Sequence, residues 1–463
     1  MKTSIIVLTH NQLAYTKKCI ESIRRCTQPE YEIIVVDNAS KDDTVDYLKK
    51  QSDLRVIYNK ENVGFVVGNN QAVNVANGDI IVFLNNDVVV TNGWLEPLID
   101  TLISSDKIAM VGPVTNNDNI DGLQKVQVQY CEETLKGLTE YSKQYCVQHA
   151  KESRRVLRLV GFALACKREV LNEIGLFDEA YGMGYFEEYD LCLRALMKGY
   201  ELRIVQDSFV HHFGNITFGA RKREFSKLFV KNKAIFNKKW GQETLYLMYP
   251  SLDIVSMIPK TASRILDVGC GMGSLAVEFA NQHKCEIVGI EKNSEAFAFA
   301  KKHLNQVFHE DIENMKISEN KLGRFDCIIC DDILGHLRDP WRVVQRLVRL
   351  LKVDGYFILS VHNISNLKVL SGLIQGDFSY KTLGILDKKH LRFFTKSTIP
   401  TLIPRNMLIE NINSISLDAT ENTKSFINEL ISLGERYKLK TDELDATTVL
   451  YIVKVRKLVE EIL

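Results

Sequence analysis

Short, continuously apolar runs separated by stretches of helical periodicity dominate the first part of the chain. The runs cover residues 4–9 (SIIVLT), 31–37 (YEIIVVD), 54–58 and 79–84 (DIIVFL). Apolar and polar positions do not alternate within them, so each run predicts a strand that is covered on both faces. Strands that alternate with helices in this way indicate a parallel α/β sheet.

The alternation breaks off after about residue 113 and starts again near residue 262, with new runs at 264–268, 286–290, 325–330 and 356–361. A restart of this kind indicates a second α/β unit with its own sheet. We therefore predict two domains, residues 1–242 and 263–463, joined by a linker or short helix over 243–262.

Composition narrows the class of protein. The 463 residues are 45% hydrophobic and 25% charged, which is typical of a soluble globular protein with more than one core. The net charge of +1 gives no support for a nucleic-acid partner. The first residues lack the apolar stretch of a signal peptide, and no apolar run approaches the ~18 residues of a membrane span. Ten cysteines without metal-type spacing fit a reducing compartment, so we expect a cytoplasmic protein.

Polar side chains follow the ends of the strands in the first series. Thr9 and Asn11 follow the first strand, Asp37 ends the second, and Asn86 and Asp87 follow the fourth. Ligands of a parallel sheet bind beyond the carboxyl ends of its strands. A nucleoside diphosphate needs one carboxylate for its base or ribose and another for a divalent ion. Each acid alone is also a common turn former or helix N-cap, so only the grouping indicates a site.

Four segments, SIIVLTHNQ, VVDNASKDDT, ENVGFVVGNN and FLNNDVVV, resemble in order and spacing glycosyltransferase family 2 and its rhamnosyltransferase-like members. The resemblance covers nearly all of residues 1–240. It implies an inverting enzyme with the GT-A fold, a Rossmann-like fold that binds a nucleotide-sugar donor with Mn or Mg. The positions that match donor-binding residues of the family are Thr9, Asn11, Asp37, Asn69, Asn86 and Asp87. Because Asn85-Asn86-Asp87 replaces the family's D-x-D motif, only Asp87 supplies a carboxylate to the metal.

The acceptor side of the family is matched by YFEEYDLCLRALMKGYE, where Glu188 occupies the position of the catalytic base, with Glu187 before it and Asp190 two residues after it. Acidic residues that open a helix are also favoured by the helix dipole, and for Glu187 that alternative stays open. The resemblance further implies that His212 is a metal ligand. Arg221 and Arg223 are candidates to contact the leaving diphosphate, with a solvated basic face as the alternative.

A glycine-rich turn, ILDVGCGMGSL, opens the second series. It places Asp267, Gly269, Gly271 and Gly273 between a strand and a helix, and glycines there allow a ligand to approach the backbone. The motif resembles class I S-adenosylmethionine-dependent methyltransferases, which also have a Rossmann-like fold, and departs from the G-x-G-x-x-G of dinucleotide enzymes. Glu291 is suited to the ribose hydroxyls and Asp311 to the adenine amino group.

Two later segments, FDCIICDDILGHLRDPW and GILDKKHLRFFTKSTI, resemble methyltransferases of small molecules and sugars, and this second resemblance covers roughly residues 245–415. It implies that Asp331 and His336 border the methyl donor and that His390 and Arg392 face the acceptor. Methyl transfer to oxygen needs a base, and the choice among the available histidines stays open. The candidates are His336, His362 and His390. Gly335 replaces a glutamate common in the subgroup, and Val353-Asp354-Gly355 replaces Pro-Gly-Gly.

Together these features predict a bifunctional enzyme that transfers a sugar with inversion and methylates the same product. The expected acceptor is a glycan or a protein such as flagellin, and the expected cofactors are Mn or Mg and S-adenosylmethionine. The alternative is a glycosyltransferase whose carboxyl-terminal half is a non-catalytic module for binding or recruitment. The sequence leaves the donor sugar and the oligomeric state open.

Overall fold

The chain forms two compact units, Met1–Met248 and Tyr249–Leu463. The computed structural model describes residues 1–28, 30–117, 123–214, 222–241, 244–416, 421–437 and 443–459. The division between the units falls inside the segment 243–262 that the sequence predicts to be a linker. Among the described residues, no helix combines the length and the apolar character needed to cross a membrane.

The amino-terminal unit is built on one mixed sheet. Its strands are β1 Thr3–Thr9, β2 Tyr31–Asp37, β3 Leu54–Tyr58, β4 Ile80–Asn85, β5 Val88–Val90, β6 Ile108–Thr115, β7 Ser153–Val156, β8 Ala163–Lys167 and β9 Glu201–His212. Their order across the sheet is β3-β2-β1-β4-β8-β6-β9-β5, and β7 pairs with β9. Strands β1 to β4 are parallel, and β8 then runs antiparallel to both β4 and β6.

Helices cover this sheet. They are α1 Leu13–Cys26, α2 Thr44–Leu48, α3 Gly64–Val75, α4 Glu96–Ile103, α5 Leu138–Gln148, α6 Arg168–Ile174, α7 Glu187–Met197, α8 Lys222–Trp240 and α9 Thr244–Leu247. The strand residues Ile5, Val35 and Val82 are inaccessible to solvent and pack with Ile20 of α1 in one core. Strands buried in this way explain why their sequences are continuously apolar.

The carboxyl-terminal unit contains a second mixed sheet. Its strands are β10 Arg264–Val268, β11 Glu286–Glu291, β12 Gln306–His309, β13 Phe325–Cys330, β14 Leu351–His362, β15 Met407–Ser416 and β16 Thr448–Lys457. The order is β12-β11-β10-β13-β14-β16-β15. The first five strands in this order are parallel, whereas β16 is antiparallel to both of its neighbours. β16 comes last in sequence but lies inside the sheet, because it pairs with both β14 and β15.

The helices of this unit are α10 Leu252–Met257, α11 Ser274–Ala280, α12 Ser294–Ala300, α13 Glu319–Leu322, α14 Pro340–Arg349, α15 Leu367–Ile374, α16 Glu421–Arg436 and α17 Glu443–Thr447. Although α10 falls within the predicted linker, its Ile254 and Val255 are buried in the core of this unit.

The two predicted α/β folds are confirmed. The strand predicted at 356–361 is the second part of β14, which begins at Leu351 and contains a bulge before Tyr356.

Candidate active sites of the two units

The parallel strands of the amino-terminal sheet end at one edge. Thr9 lies opposite Asp37 in the register of β1 and β2, and Asp37 lies opposite Tyr58 of β3. Leu8 is paired with Asn85, so the turn that carries Asn86 and Asp87 follows at the same edge. The register thus brings the predicted donor-binding segments together.

Asp37 presents a carboxylate oxygen that no protein group satisfies. The residue is 1% exposed, and its Oδ2 accepts a hydrogen bond from the Ser40 backbone N–H at 3.2 Å. Its Oδ1 is buried and has no partner. A buried polar atom without a partner is costly, which fits a ligand that donates a hydrogen bond here. Asn11 instead joins two loops, because its N–H donates to Ser40 Oγ and its Oδ1 accepts from Lys41 N, both at 2.7 Å.

Asn86, Thr9 and Asn69 form hydrogen bonds within the protein. The Asn86 amide donates to Thr16 Oγ1 at 3.0 Å and, more weakly, to Thr9 Oγ1 at 3.4 Å. The Thr9 and Thr16 hydroxyls are 2.7 Å apart. Asn69 is buried in α3 and donates to the Phe65 carbonyl at 2.8 Å. The structure therefore places these three side chains in the framework behind the strand ends.

Asp87 and His212 form a buried pair beside this edge. Asp87 Oδ1 lies 3.4 Å from His212 Nε2, and the His212 ring stacks on Phe162. His212 Nδ1 is 2.7 Å from the Asn117 carbonyl, which accepts the Nδ1–H. Its Nε2 is therefore directed at the carboxylate. One carboxylate and one imidazole so oriented are ligands that would suit a divalent ion.

The acidic helix α7 begins with two buried carboxyl groups. Glu187 and Glu188 are 6% and 5% exposed, and Oε2 of each is buried without a hydrogen-bond partner. Burial raises the pKa of Glu188 to about 7. Burial, together with the charge of Glu188, raises the pKa of Glu187 well above its usual range. A carboxyl group with a pKa near 7 is suited to take up a proton at neutral pH. Gly161 is a neighbour of Glu188, because a Cβ at this glycine would be in ordinary van der Waals contact with the Glu188 Cβ at 3.6 Å.

Asp190 has a different environment on the same helix. Its Oδ2 accepts from Arg194 Nε at 2.8 Å, and its Oδ1 accepts from Trp240 Nε1 at 2.8 Å and from Lys239 Nζ at 2.7 Å. Both oxygens are thus occupied, and Asp190 joins α7 to the end of α8. These contacts give Asp190 a structural environment rather than that of a base.

The chain enters α7 through a turn of unusual backbone conformation. Tyr185 and Phe186 both have positive φ, 72° and 74°, which is uncommon for bulky residues and marks stored strain. The buried Asn232 of α8 donates through Nδ2 to the carbonyls of Tyr181 at 2.7 Å and Gly184 at 2.6 Å. Asn232 therefore fixes the turn that carries the acidic pair. Sequence analysis missed this residue because one asparagine in a basic amphipathic helix gives no distinct signal.

The sequence indicates two arginines as candidates to contact the leaving diphosphate. Arg221 lies outside the described residues, and the side chain of Arg223 is likewise not described.

The glycine-rich turn of the carboxyl-terminal unit has the backbone that its sequence predicts. Gly269, Gly271 and Gly273 have φ of 74°, 54° and 83°, where residues with a Cβ are strained. The Gly271 N–H donates to Glu291 Oε2 at 2.8 Å, and the Asn293 N–H donates to Oε1 of the same carboxylate at 2.7 Å. Glu291 thus lies directly against the turn.

Two further carboxyl groups lie beside this turn. Burial, then the charges of Asp331 and Glu291, raises the pKa of Asp267 to about 7. Burial also raises the pKa of Asp331 to about 6, although Ser360 donates to its Oδ1 at 2.7 Å. Asp311 caps the short helix Ile312–Asn314 and pairs with Lys292 at 3.1 Å. The carboxyl groups of Glu291, Asp267 and Asp331, together with the glycines, fit a ligand with several hydroxyl or amino donors and a positive charge, as S-adenosylmethionine has.

Three histidines meet next to Asp332. The His336 and His362 rings lie 4.6 Å and 5.2 Å from the His390 ring. Asp332 Oδ2 is 3.4 Å from His362 Nε2, and Asp332 Oδ1 is 3.9 Å from His390 Nε2. Gly335 makes room for this arrangement, because a Cβ there would lie 2.9 Å from His390 Cδ2. Sequence analysis did not predict a role for Asp332, because it assigned the neighbouring Asp331 as the residue after the strand that borders the methyl donor.

Arg392 is exposed, and its guanidinium donates to the Arg338 carbonyl at 2.6 Å. The structure therefore places the predicted acceptor-side arginine at the surface, next to the histidine-bearing segment. It is not among the residues that meet at Asp332.

Comparison with known proteins identifies both halves. Residues 4–175 match the family model described as glycosyl transferase family 2, and residues 259–400 match the one described as methyltransferase domain. The chain is 27% identical over 209 residues to a ubiquinone biosynthesis O-methyltransferase of Paracidovorax citrulli, which covers 44% of this chain and 81% of that protein. It is 26% identical over 260 residues to N-acetylgalactosaminyltransferase 7 of Drosophila melanogaster, which covers 50% of this chain and 42% of that protein.

Among solved structures, the chain is similar to the crystal structure of GalNAc-T7 with UDP, GalNAc and Mn2+ at 18% identity and a TM-score of 0.37. That match covers 46% of this chain and 44% of the other. The chain thus spans less than half the length of the glycosyltransferase relative and between half and about four fifths of the O-methyltransferases that it matches. The two resemblances predicted from the sequence are confirmed.

Proposed function

We propose that the glycosyltransferase family 2 domain and the methyltransferase domain of this chain act in sequence on one product. The first transfers a sugar from a nucleotide-sugar with inversion, and the second methylates a hydroxyl of the resulting glycan. The observation that carries the glycosyltransferase part is the pair of buried carboxyl groups at the start of α7, each with one oxygen that has no hydrogen-bond partner, in the unit that also holds Asp37 and the Asp87–His212 pair.

In the sugar transfer, Asp37 binds the nucleoside through its unpartnered oxygen. Asp87 and His212 hold Mn or Mg, which supplies positive charge to the departing diphosphate. Glu188 removes the proton of the acceptor hydroxyl, and a pKa of about 7 lets it do so at neutral pH. Glu187, whose pKa is raised well above its usual range by burial and by the charge of Glu188, holds a proton and keeps the pair from carrying two negative charges.

In the methyl transfer, the turn at Gly269 to Gly273 and the carboxylates of Asp267, Glu291 and Asp331 hold S-adenosylmethionine, which supplies a methyl group on a positively charged sulfur. The similarity to O-methyltransferases supports oxygen as the acceptor atom. A hydroxyl must lose its proton when it is methylated, and the candidates to accept it are the histidines beside Asp332, which are His336, His362 and His390.

A shared product is supported by the fusion itself. Two active sites on one chain raise the effective concentration of the first product at the second site. The acceptor proposed is a surface glycan or a glycosylated protein such as flagellin. Ten cysteines without a disulfide fit a reducing compartment, and we place the reaction in the cytoplasm.

A screen of donor hydrolysis over UDP-, GDP- and dTDP-sugars with Mn or Mg tests the first activity. We expect that one donor is hydrolysed, that its hydrolysis requires the metal, and that Asp87→Ala lowers the rate of hydrolysis. A rate that changes neither when the metal is removed nor in Asp87→Ala would exclude the proposed site.

The second candidate function, a methyltransferase-like module without turnover, has a specific observation in its favour. Gly335 replaces the glutamate that the subgroup often carries next to His336. Calorimetric titration with S-adenosylmethionine and a methyl-transfer assay on the glycosylated product separate the two possibilities. Turnover supports the enzyme, and binding without turnover supports the module.

A further inference from the structure

Three side chains from separate segments of the carboxyl-terminal unit converge on one point. Asp332 follows β13, His362 ends β14, and His390 lies in the segment between α15 and β15. One ligand atom from each lies within 4.8 Å of the other two. Since the three segments are distant in sequence, the fold and not a local turn brings these side chains together.

Both imidazoles are oriented as those of metal-bound histidines usually are. His390 Nδ1 lies 3.0 Å from the Ile385 carbonyl, and His362 Nδ1 lies 3.3 Å from the Val449 carbonyl. A carbonyl oxygen only accepts, so each Nδ1 carries the proton. The Nε2 atoms then face Asp332. Histidine ligands of metals typically donate the second ring N–H to a carbonyl in this way.

The distances are close to those of a tetrahedral site. With metal–ligand bonds of about 2.0–2.2 Å, neighbouring ligand atoms of a tetrahedron lie about 3.3–3.6 Å apart. Asp332 lies 3.4 Å from His362 and 3.9 Å from His390. Because no pair exceeds 4.8 Å, side-chain shifts of about an ångström would bring all three atoms onto one ion.

The backbone supports the same arrangement. Asp332 has a φ of 51°, a conformation that is uncommon for a residue other than glycine and often marks a functional position. Its backbone N–H donates to Ser360 Oγ at 2.7 Å, which anchors the backbone at this position. Gly335 leaves the space that the His390 ring occupies.

We propose that Asp332, His362 and His390 bind a divalent transition-metal ion of the zinc type and that its open coordination position binds the acceptor hydroxyl of the methyl transfer. Two imidazoles and one carboxylate with an open position form a donor set typical of catalytic zinc. An ion here would lower the pKa of the bound hydroxyl and fix its oxygen near the glycine-rich turn. His336, whose ring lies 4.6 Å from the His390 ring and which is not one of the three ligands, takes up the hydroxyl proton, the oxygen receives the methyl group, and the sulfonium leaves as a neutral thioether. This role rests on the proposed methyltransferase function, whereas binding of the metal does not.

Zinc binding to the full-length chain tests the site directly. The chain carries Asp87→Ala, which removes the second candidate metal site. Its affinities for Zn²⁺ and for Mg²⁺ are then measured by calorimetry and compared. We expect one zinc per chain, a preference for zinc of at least tenfold over magnesium, and a loss of at least tenfold in zinc affinity in Asp332→Asn and in His362→Gln. The control is His283→Ala, which changes a histidine that packs on Phe279 in the same unit and should bind zinc normally.

S-adenosylmethionine affinity, measured on the same samples, serves as the test of folding. Zinc affinity that is unchanged in both variants, or an absence of zinc binding in the Asp87→Ala chain, would overturn the metal site. Methyl transfer that continues at the same rate after zinc is removed by a chelator would overturn the role of the ion while leaving the methyltransferase function in place. Zinc binding with no methyl transfer to any glycosylated acceptor would contradict the methyltransferase function and with it the role of the ion, but not the site.

Discussion

Glu188→Gln separates the catalytic role of this carboxyl group from its effect on stability. Glutamine keeps the size of the side chain and resembles its protonated form, but it cannot accept a proton from the acceptor. General-base catalysis typically contributes 10²–10⁴-fold, so sugar transfer should fall by about that factor. Donor affinity should change little, because Asp37 and the Asp87–His212 pair are unaltered.

The same substitution should make the protein more stable at alkaline pH. The pKa of Glu188 is about 7 in the folded chain and near 4.5 in the unfolded chain, so the folded state holds this proton more tightly. Its contribution to stability is full below pH 4.5 and is lost as the pH rises to 7. The loss is on the order of 3 kcal/mol. Because glutamine has no proton to lose, the variant should exceed the wild type in stability by about that amount at pH 8 and equal it at pH 4.

Two measurements check this reasoning. Thermal unfolding at pH 4 and pH 8 should show a higher midpoint for Glu188→Gln only at pH 8, and wild-type transfer should rise with pH around 7 as Glu188 loses its proton. The matched control is Glu187→Gln, which imitates the state that Glu187 already has at neutral pH and should cost much less activity. Greater loss of transfer in Glu187→Gln than in Glu188→Gln would show that the base is Glu187, and an equal stability gain at both pH values would contradict the cause given for the raised pKa.

Three other substitutions test separate parts of the two sites. Asp87→Ala should abolish metal-dependent sugar transfer while S-adenosylmethionine still binds, and near-native transfer rates would show that Asp87 holds no essential ion. Gly271→Val places a β-branched residue at a φ of 54° and should abolish S-adenosylmethionine binding while sugar transfer stays intact. The control is Gly376→Val, which lies in open space at a φ of 76° and should bind S-adenosylmethionine normally. Asn232→Ala should lower kcat for sugar transfer more than it changes KM for the donor, since it frees the turn before Glu187, and an unchanged kcat would mean that this turn is held by other contacts.

The sequence predicted the parallel strands well because their burial leaves an unmistakable pattern. The predicted strands at 31–37, 54–58, 264–268 and 325–330 agree with the structure to the residue. Strands β8 and β9 were not predicted, because mixed sheets are closed by pairings between residues distant in sequence. β8 is antiparallel to both of its neighbours, whereas β9 is parallel to β6 and antiparallel to β5 and β7. Such pairings leave no local periodicity.

The arrangement of the site residues was harder to predict from the sequence than the strands were. Sequence spacing places Asn86 next to Asp87, but whether an amide turns toward the ligand or toward Thr16 depends on packing that no spacing encodes. Asp190 is a further candidate base by sequence, after Glu188, and its partners on α8, Trp240 and Lys239, are set by the fold and not by the local sequence. The cluster at Asp332 depends on three segments that only the fold brings together.

The position of β16 bears on how the chain is made. This strand, Thr448–Lys457, lies between β14 and β15, and the buried Lys457 amine donates to the Leu351 carbonyl at 2.9 Å. During synthesis from the amino terminus, β14 and β15 leave the ribosome before the strand that joins them exists. The glycosyltransferase unit has every strand of its sheet by residue 212, so it can fold while the second sheet is still incomplete. A chain that ends between residues 248 and 448 would therefore contain the complete amino-terminal unit but would leave β14 and β15 without the strand that pairs with both, and such unpaired strand edges are prone to aggregation.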